Sequence, residues 1–159
     1  MTLSTLMADR SRRRSSYFRR TLRGAVLSLS STFLTAGWIG LAVIVVLSLV
    51  PGWARPHNAL GLPGEYEHLI AYMLTAGVLG LAYRKATIRA ALLTLFVICA
   101  ALLEIAQIWI PGRTSQLIDF GASSIGAGGG MLAAAVIDHL VSRSTLSNSA
   151  GAGSFDGLG

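Results

Sequence analysis

The chain has 159 residues, 53% of them hydrophobic and only 13% charged, and a formal net charge of +6. A charged share about half that of an ordinary soluble domain argues against a water-soluble globule and against a disordered chain, and points to a membrane protein of one small domain. The positive charge does not describe a nucleic-acid surface, because the basic residues are sorted by loop rather than gathered on one face, so no nucleic-acid partner is expected.

Residues 1–29 read as a basic, serine-rich arm carrying Arg10, Arg12, Arg13, Arg14, Arg19, Arg20 and Arg23. Behind it, residues 24–54 hold no charged side chain. That run is far longer than the roughly 7–15 residues of a signal-peptide core, so it reads as an uncleaved anchor. Crossing a hydrocarbon layer of about 30 Å takes roughly 20 helical residues, which places a first span at about 32–50. Pro51 and Gly52 break it, and Trp53 suits the interface. A second span follows at about 66–83, and the basic turn RKATIR leads back into a third at about 88–110, which Pro111 and Gly112 end. The fourth lies at about 117–141, and the Ser/Gly/Ala-rich tail, 144–159, is expected to be disordered.

The expected fold is therefore an all-α membrane protein: a four-transmembrane-helix bundle over residues 30–143. The arm, Arg84, Lys85, Arg89 and Arg143 put eleven basic residues on one side, against Arg55 and Arg113 on the other. By the positive-inside rule both termini are cytoplasmic. Membrane lipids are then the first partners, since an arginine-rich arm beside a span meets anionic headgroups. Cys99 stands alone in mid-span, so no intramolecular disulfide is available.

Helices in lipid pack through small residues that let their backbones approach. Span four carries Ala122, Gly126, Gly130 and Ala134 at four-residue spacing, and span two carries Ala76 and Gly80. Plain packing accounts for this stripe, and Gly126 and Gly130 are also where a homo-oligomer would form.

Ionisable groups inside spans are costly and usually face the bundle interior, where they mark a function. Here they crowd one membrane face. Span two enters with Glu67 and His68, with Tyr72 a turn deeper; span three leaves with Glu104 and Gln107; span four enters with Asp119, with Ser123 a turn deeper. Counting six residues inward from 66, 110 and 117 puts Tyr72, Glu104 and Ser123 in one layer about 9 Å deep. His68, Gln107 and Asp119 form a shallower layer, and Arg113 lies in the loop above. Glu67, His68, Tyr72, Glu104, Gln107, Arg113, Asp119 and Ser123 are the candidate ligand-binding residues. Each has a plainer reading: Asp119 as a helix N-terminal cap, Arg113 as an interfacial anchor, His68 as a satisfied interfacial residue.

These residues resemble the VanZ-like family of bacterial membrane proteins. EHLIAY, Glu67 to Tyr72, looks like that family's His-x-x-x-Tyr signature. Glu104, Gln107, Pro111, Gly112, Arg113, Ser115, Asp119, Gly126 and Gly130 fall on its Glu-x-x-Gln, Pro-Gly-Arg, Ser, Asp and Gly-x-x-x-Gly run. The likeness covers about residues 64–132. Ser123 stands where many members have asparagine, and Gly64 and Glu65 stand where an Asp-Lys pair precedes the histidine. The resemblance implies a cell-envelope protein of the bacterial cytoplasmic (inner) membrane, linked to glycopeptide or lipophilic-antibiotic response.

Three functions compete on this reading. The first is a protein whose outer pocket binds the headgroup of an envelope lipid, or a lipid-linked or amphiphilic ligand, with Arg113 and His68 on an anionic group and Glu104, Gln107 and Asp119 completing the hydrogen bonds. The second is an intramembrane enzyme on a lipid-linked substrate, with Glu104 or His68 as general acid or base. The third is a small transporter or assembly partner. No hydrolase or metalloprotease spacing assigns a catalytic residue, and no metal or other cofactor is expected.

Overall fold

The computed structural model describes residues 30–54, 62–113 and 116–152, with side chains described as far as 143. The basic arm, Arg55, the loop at 55–61, Ser115 and residues 153–159 lie outside the described residues. Those described form four helices and one short 3-10 turn, with no strand among them. We label the helices α1 (Ser30–Leu49), α2 (Gly64–Ala82), α3 (Ala86–Gln107) and α4 (Leu117–Ala152).

Each boundary has a local cause. α1 stops before Pro51, and Gly52–Ala54 make the 3-10 turn. α2 starts behind Pro63, and Glu65 and Glu67 in its first turn suit the positive end of the helix dipole. An extended Tyr83 ends α2, and an extended Lys85 leads into α3, where the Ile88 N–H donates to the Lys85 carbonyl (3.0 Å). α3 ends at Gln107 rather than Ile110. Pro111 disfavours helical backbone at the residue before it, so the chain tightens into i→i+3 bonds, Ile108 to Ile105, Trp109 to Ala106 and Ile110 to Gln107. Gly112 then turns the chain at φ +74°.

The chain runs up, down, up and down. α2 and α4 are parallel and meet through small residues. A Cβ on Gly126 would run into the Leu69 carbonyl, and one on Gly130 into the Met73 carbonyl. The Gly126 and Gly130 face is thus packed against α2 of the same chain. α1 lies against α2 in the opposite sense, with Gly40 beside Thr75 and Gly37 beside Leu79. One core joins all four helices: Leu41 and Ile44 of α1; Tyr72, Ala76 and Leu79 of α2; Leu92, Phe96, Ala100 and Leu103 of α3; Ala127 and Met131 of α4. Tyr72 packs edge-on against Phe96, with ring centroids 5.9 Å apart.

Large apolar side chains cover the outside, among them Leu74, Ile98, Leu102, Ile125 and Leu132. Such a surface is a liability in water and a solvated one in lipid. Three helices are long and apolar enough to cross a membrane: α1, α3 and the 117–143 part of α4. α2 is not among them, because Glu65, Glu67 and His68 occupy its first turns and only 19 residues remain in all. The second departure is the tail, expected to be disordered from residue 144. α4 continues to Ala152, since extending a formed helix is far easier than starting one and serine and alanine tolerate it.

Candidate functional site

Two turns close one end of the bundle. The Gly52 N–H donates to the Pro111 carbonyl (3.2 Å), which ties the Pro51-Gly52 corner to the Pro111-Gly112 corner. We call this the Pro-Gly end. The polar residues expected to converge lie beneath it.

His68, Glu104 and Asp119 meet there, one from each of α2, α3 and α4. A nitrogen of His68 and one carboxylate oxygen each of Glu104 and Asp119 lie within 4.8 Å of one another. His68 Nε2 is 3.9 Å from Asp119 Oδ2. His68 and Glu104 are buried, each 8% exposed, and Asp119 is half-buried. The Gln116 backbone N–H donates to Glu104 Oε2 (3.0 Å). A carboxylate from α3 therefore satisfies a donor at the start of α4, the place where orphan N–H groups and the dipole favour negative charge. The cap expected of Asp119 is supplied at Gln116 by Glu104.

This changes the layering. With α3 ending at Gln107, Glu104 is three residues from the helix end, about 4.5 Å, not six. Its carboxylate joins the level of His68 and Asp119. The deeper layer is Tyr72 and Ser123, both buried, whose hydroxyls share a hydrogen bond from α2 to α4. Gln107 lies one turn from Glu104 and is 2% exposed, and its Nε2 has no hydrogen-bond partner among the described residues. Such a donor is expensive to bury unless something accepts from it. Glu67 is half-buried on the first turn of α2 and is not one of the three residues that meet.

Arg113 reaches α1. Its Nη2 donates to the carbonyls of Ser48 (3.0 Å) and Leu47 (3.3 Å), in the last turn of α1. A guanidinium at a helix C-terminus satisfies free carbonyls and meets the negative end of the dipole.

A cleft of about 250 Å³ opens between α3 and α4, lined by Ala101, Glu104, Ile105, Gln116, Leu117 and Phe120. Its walls are apolar and partly on the outer surface, with Leu117 89% and Ile105 50% exposed. Glu104 and Gln116 give it one polar end.

Sequence reasoning passed over Asp138. At the opposite end of the bundle, Arg89 Nη2 donates to Asp138 Oδ2 (2.9 Å), Arg89 Nε donates to the Gly80 carbonyl (2.9 Å), and Arg84 closes on Asp138 Oδ1. The signal was an aspartate late in span four opposite a basic turn. Compared with protein-family models, with curated proteins and with solved structures, the chain gives no match.

Proposed function

We propose that the chain is a four-pass protein of the bacterial cytoplasmic membrane that holds the headgroup of an envelope lipid or amphiphile at its Pro-Gly end. The sorted basic residues support an orientation with that end outside and both termini in the cytoplasm. α2 would cross with the rest, because its polar first turns lie where His68 finds Asp119 and Glu104.

The observation that carries the reading is the α3–α4 cleft. Glu104 and Gln116 offer a hydrogen-bonding end, and Ala101, Ile105, Leu117 and Phe120 offer an apolar wall beside it. A polar head over an apolar groove fits a molecule that is itself half polar and half apolar. The VanZ-like resemblance, carried by the motif residues alone, agrees with an envelope role and adds glycopeptide or lipophilic-antibiotic response as the setting.

Mass spectrometry of lipids co-purifying with gently solubilised protein tests this. A specific lipid or lipid-linked sugar should accompany the wild type and be lost from Ala101→Phe, which fills the cleft without altering charge. Identical lipids on both proteins would refute the cleft as a headgroup site. The same buried carboxylate and imidazole would serve an intramembrane enzyme, for which turnover of labelled lipid abolished by Glu104→Gln is the required result.

A further inference from the structure

The Pro-Gly end gathers two carboxylates and one imidazole in a buried place. Glu104 and Asp119 bring two carboxylates to His68, with their ligand atoms close together. Carboxylates brought together away from water favour a cation between them. We propose that His68, Glu104 and Asp119 bind a divalent first-row transition metal of the zinc class.

Four observations meet on this site. First, the donors come from three different helices, so the bundle itself sets their spacing. Second, their ligand atoms lie within 4.8 Å, and the His68–Asp119 pair is at 3.9 Å. A tetrahedral ion with bonds of about 2.0–2.1 Å holds its ligands roughly 3.3 Å apart. Third, Glu104 accepts the Gln116 N–H, the kind of outer hydrogen bond that orients a ligating carboxylate. Fourth, Gln107 buries an Nε2 donor with no acceptor among the described residues, one turn from Glu104. A water or ligand oxygen on the metal would provide that acceptor.

The donor set selects the ion. One imidazole with two carboxylates suits zinc or manganese, whereas calcium takes six to eight oxygen ligands. Three protein ligands leave a coordination position open. Glu104 also lines the cleft, so an anionic headgroup oxygen held there could complete the shell; only this last step rests on the headgroup reading.

The test uses full-length protein in detergent, stripped with chelator and titrated with Zn²⁺, with Co²⁺ as a spectroscopic probe. Wild type should bind one Zn²⁺ per chain and give a tetrahedral Co²⁺ spectrum. Asp119→Asn and His68→Ala should each lower affinity by more than the roughly 10–100-fold that follows loss of an outer-shell partner. Exposed His139 is the control, and His139→Ala should leave affinity unchanged. Thermal unfolding without metal identifies any variant that has simply lost its fold; Asp119→Asn, at a half-buried position, is the variant chosen to keep it.

Wild type that binds Zn²⁺ no more tightly than folded Asp119→Asn would overturn the proposal, even if co-purifying lipid is retained. Zn²⁺ bound normally by Ala101→Phe that has lost its lipid would support the metal site independently of the headgroup.

Discussion

The two ends of the bundle both place ionisable side chains among helices, in different proportions. At one, a single carboxylate, Asp138, meets two guanidinium groups, Arg84 and Arg89, and Arg89 also bonds the Gly80 carbonyl. At the other, two carboxylates and an imidazole meet, one of the carboxylates held by a backbone N–H. The first is closed on itself: α2, α3 and α4 each contribute, and the basic turn is stapled. The second gathers two carboxyl groups and an imidazole from three helices beside a cleft. A closed ion-pair staple is glue, whereas convergent donors from three helices are placed to hold a ligand.

What keeps the two ends apart is the α2–α4 seam, so the severest way to break the comparison is to wedge it open. Gly130→Leu should have the largest effect of any substitution considered. Its Cβ would run into the Met73 carbonyl, and backbone cannot step aside as a side-chain tip can. Overpacking a core costs about 1–3 kcal/mol when side chains can yield, and here the cost should exceed that. Thermal unfolding in detergent should show loss of the folded state, with Zn²⁺ and lipid binding lost together.

Glu104 comes next because it stands in both accounts. Glu104→Ala removes the acceptor of the Gln116 N–H and leaves a part-buried donor, which should cost about 1–3 kcal/mol. Glu104→Gln keeps an amide oxygen for that N–H and should cost clearly less, while still losing the negative charge. If both variants unfold at the same temperature, Glu104 is not holding the start of α4. If both keep wild-type metal and lipid, the residue is only glue and the two ends are alike after all.

Much of this was legible in the sequence, and the limits follow from physical range. Apolar length located α1, α3 and α4, and the four-residue spacing of Ala122, Gly126, Gly130 and Ala134 marked the α4 seam, because both signals are local. Residue types within one or two turns of a helix end also picked out His68, Glu104 and Asp119. The end of α3 was misjudged by three residues, since the apolar run continues through Ile110 after the helix has tightened ahead of Pro111. That error placed Glu104 in the wrong layer. Arg113's partners lie 65 and 66 residues back in the chain, and nothing in its own neighbourhood names them. The Asp138 staple spans 49 residues to Arg89, and the aspartate late in span four opposite the basic turn was its only local sign.

The staple supplies the smallest effects and the sharpest contrast within one cluster. Arg89 has a side chain only 12% exposed and makes two hydrogen bonds, so Arg89→Ala should cost on the order of 1–3 kcal/mol, read as a fall in unfolding temperature. Arg84 reaches the same carboxylate from the surface, with its side chain 60% exposed. Water and salt screen that pair, and exposed pairs are worth roughly 0–1 kcal/mol. Arg84→Ala should therefore lie at the low end of that range, with its effect fading as salt rises. A double-mutant cycle with Asp138→Ala separates the terms: the coupling to Arg89 should be several times that to Arg84. Equal couplings would mean that both arginines sit in similar surroundings, and the view of this end as a buried staple with a loose outer arm would fail. None of these changes should alter Zn²⁺ or lipid binding at the Pro-Gly end, because the α2–α4 seam between the two ends remains intact.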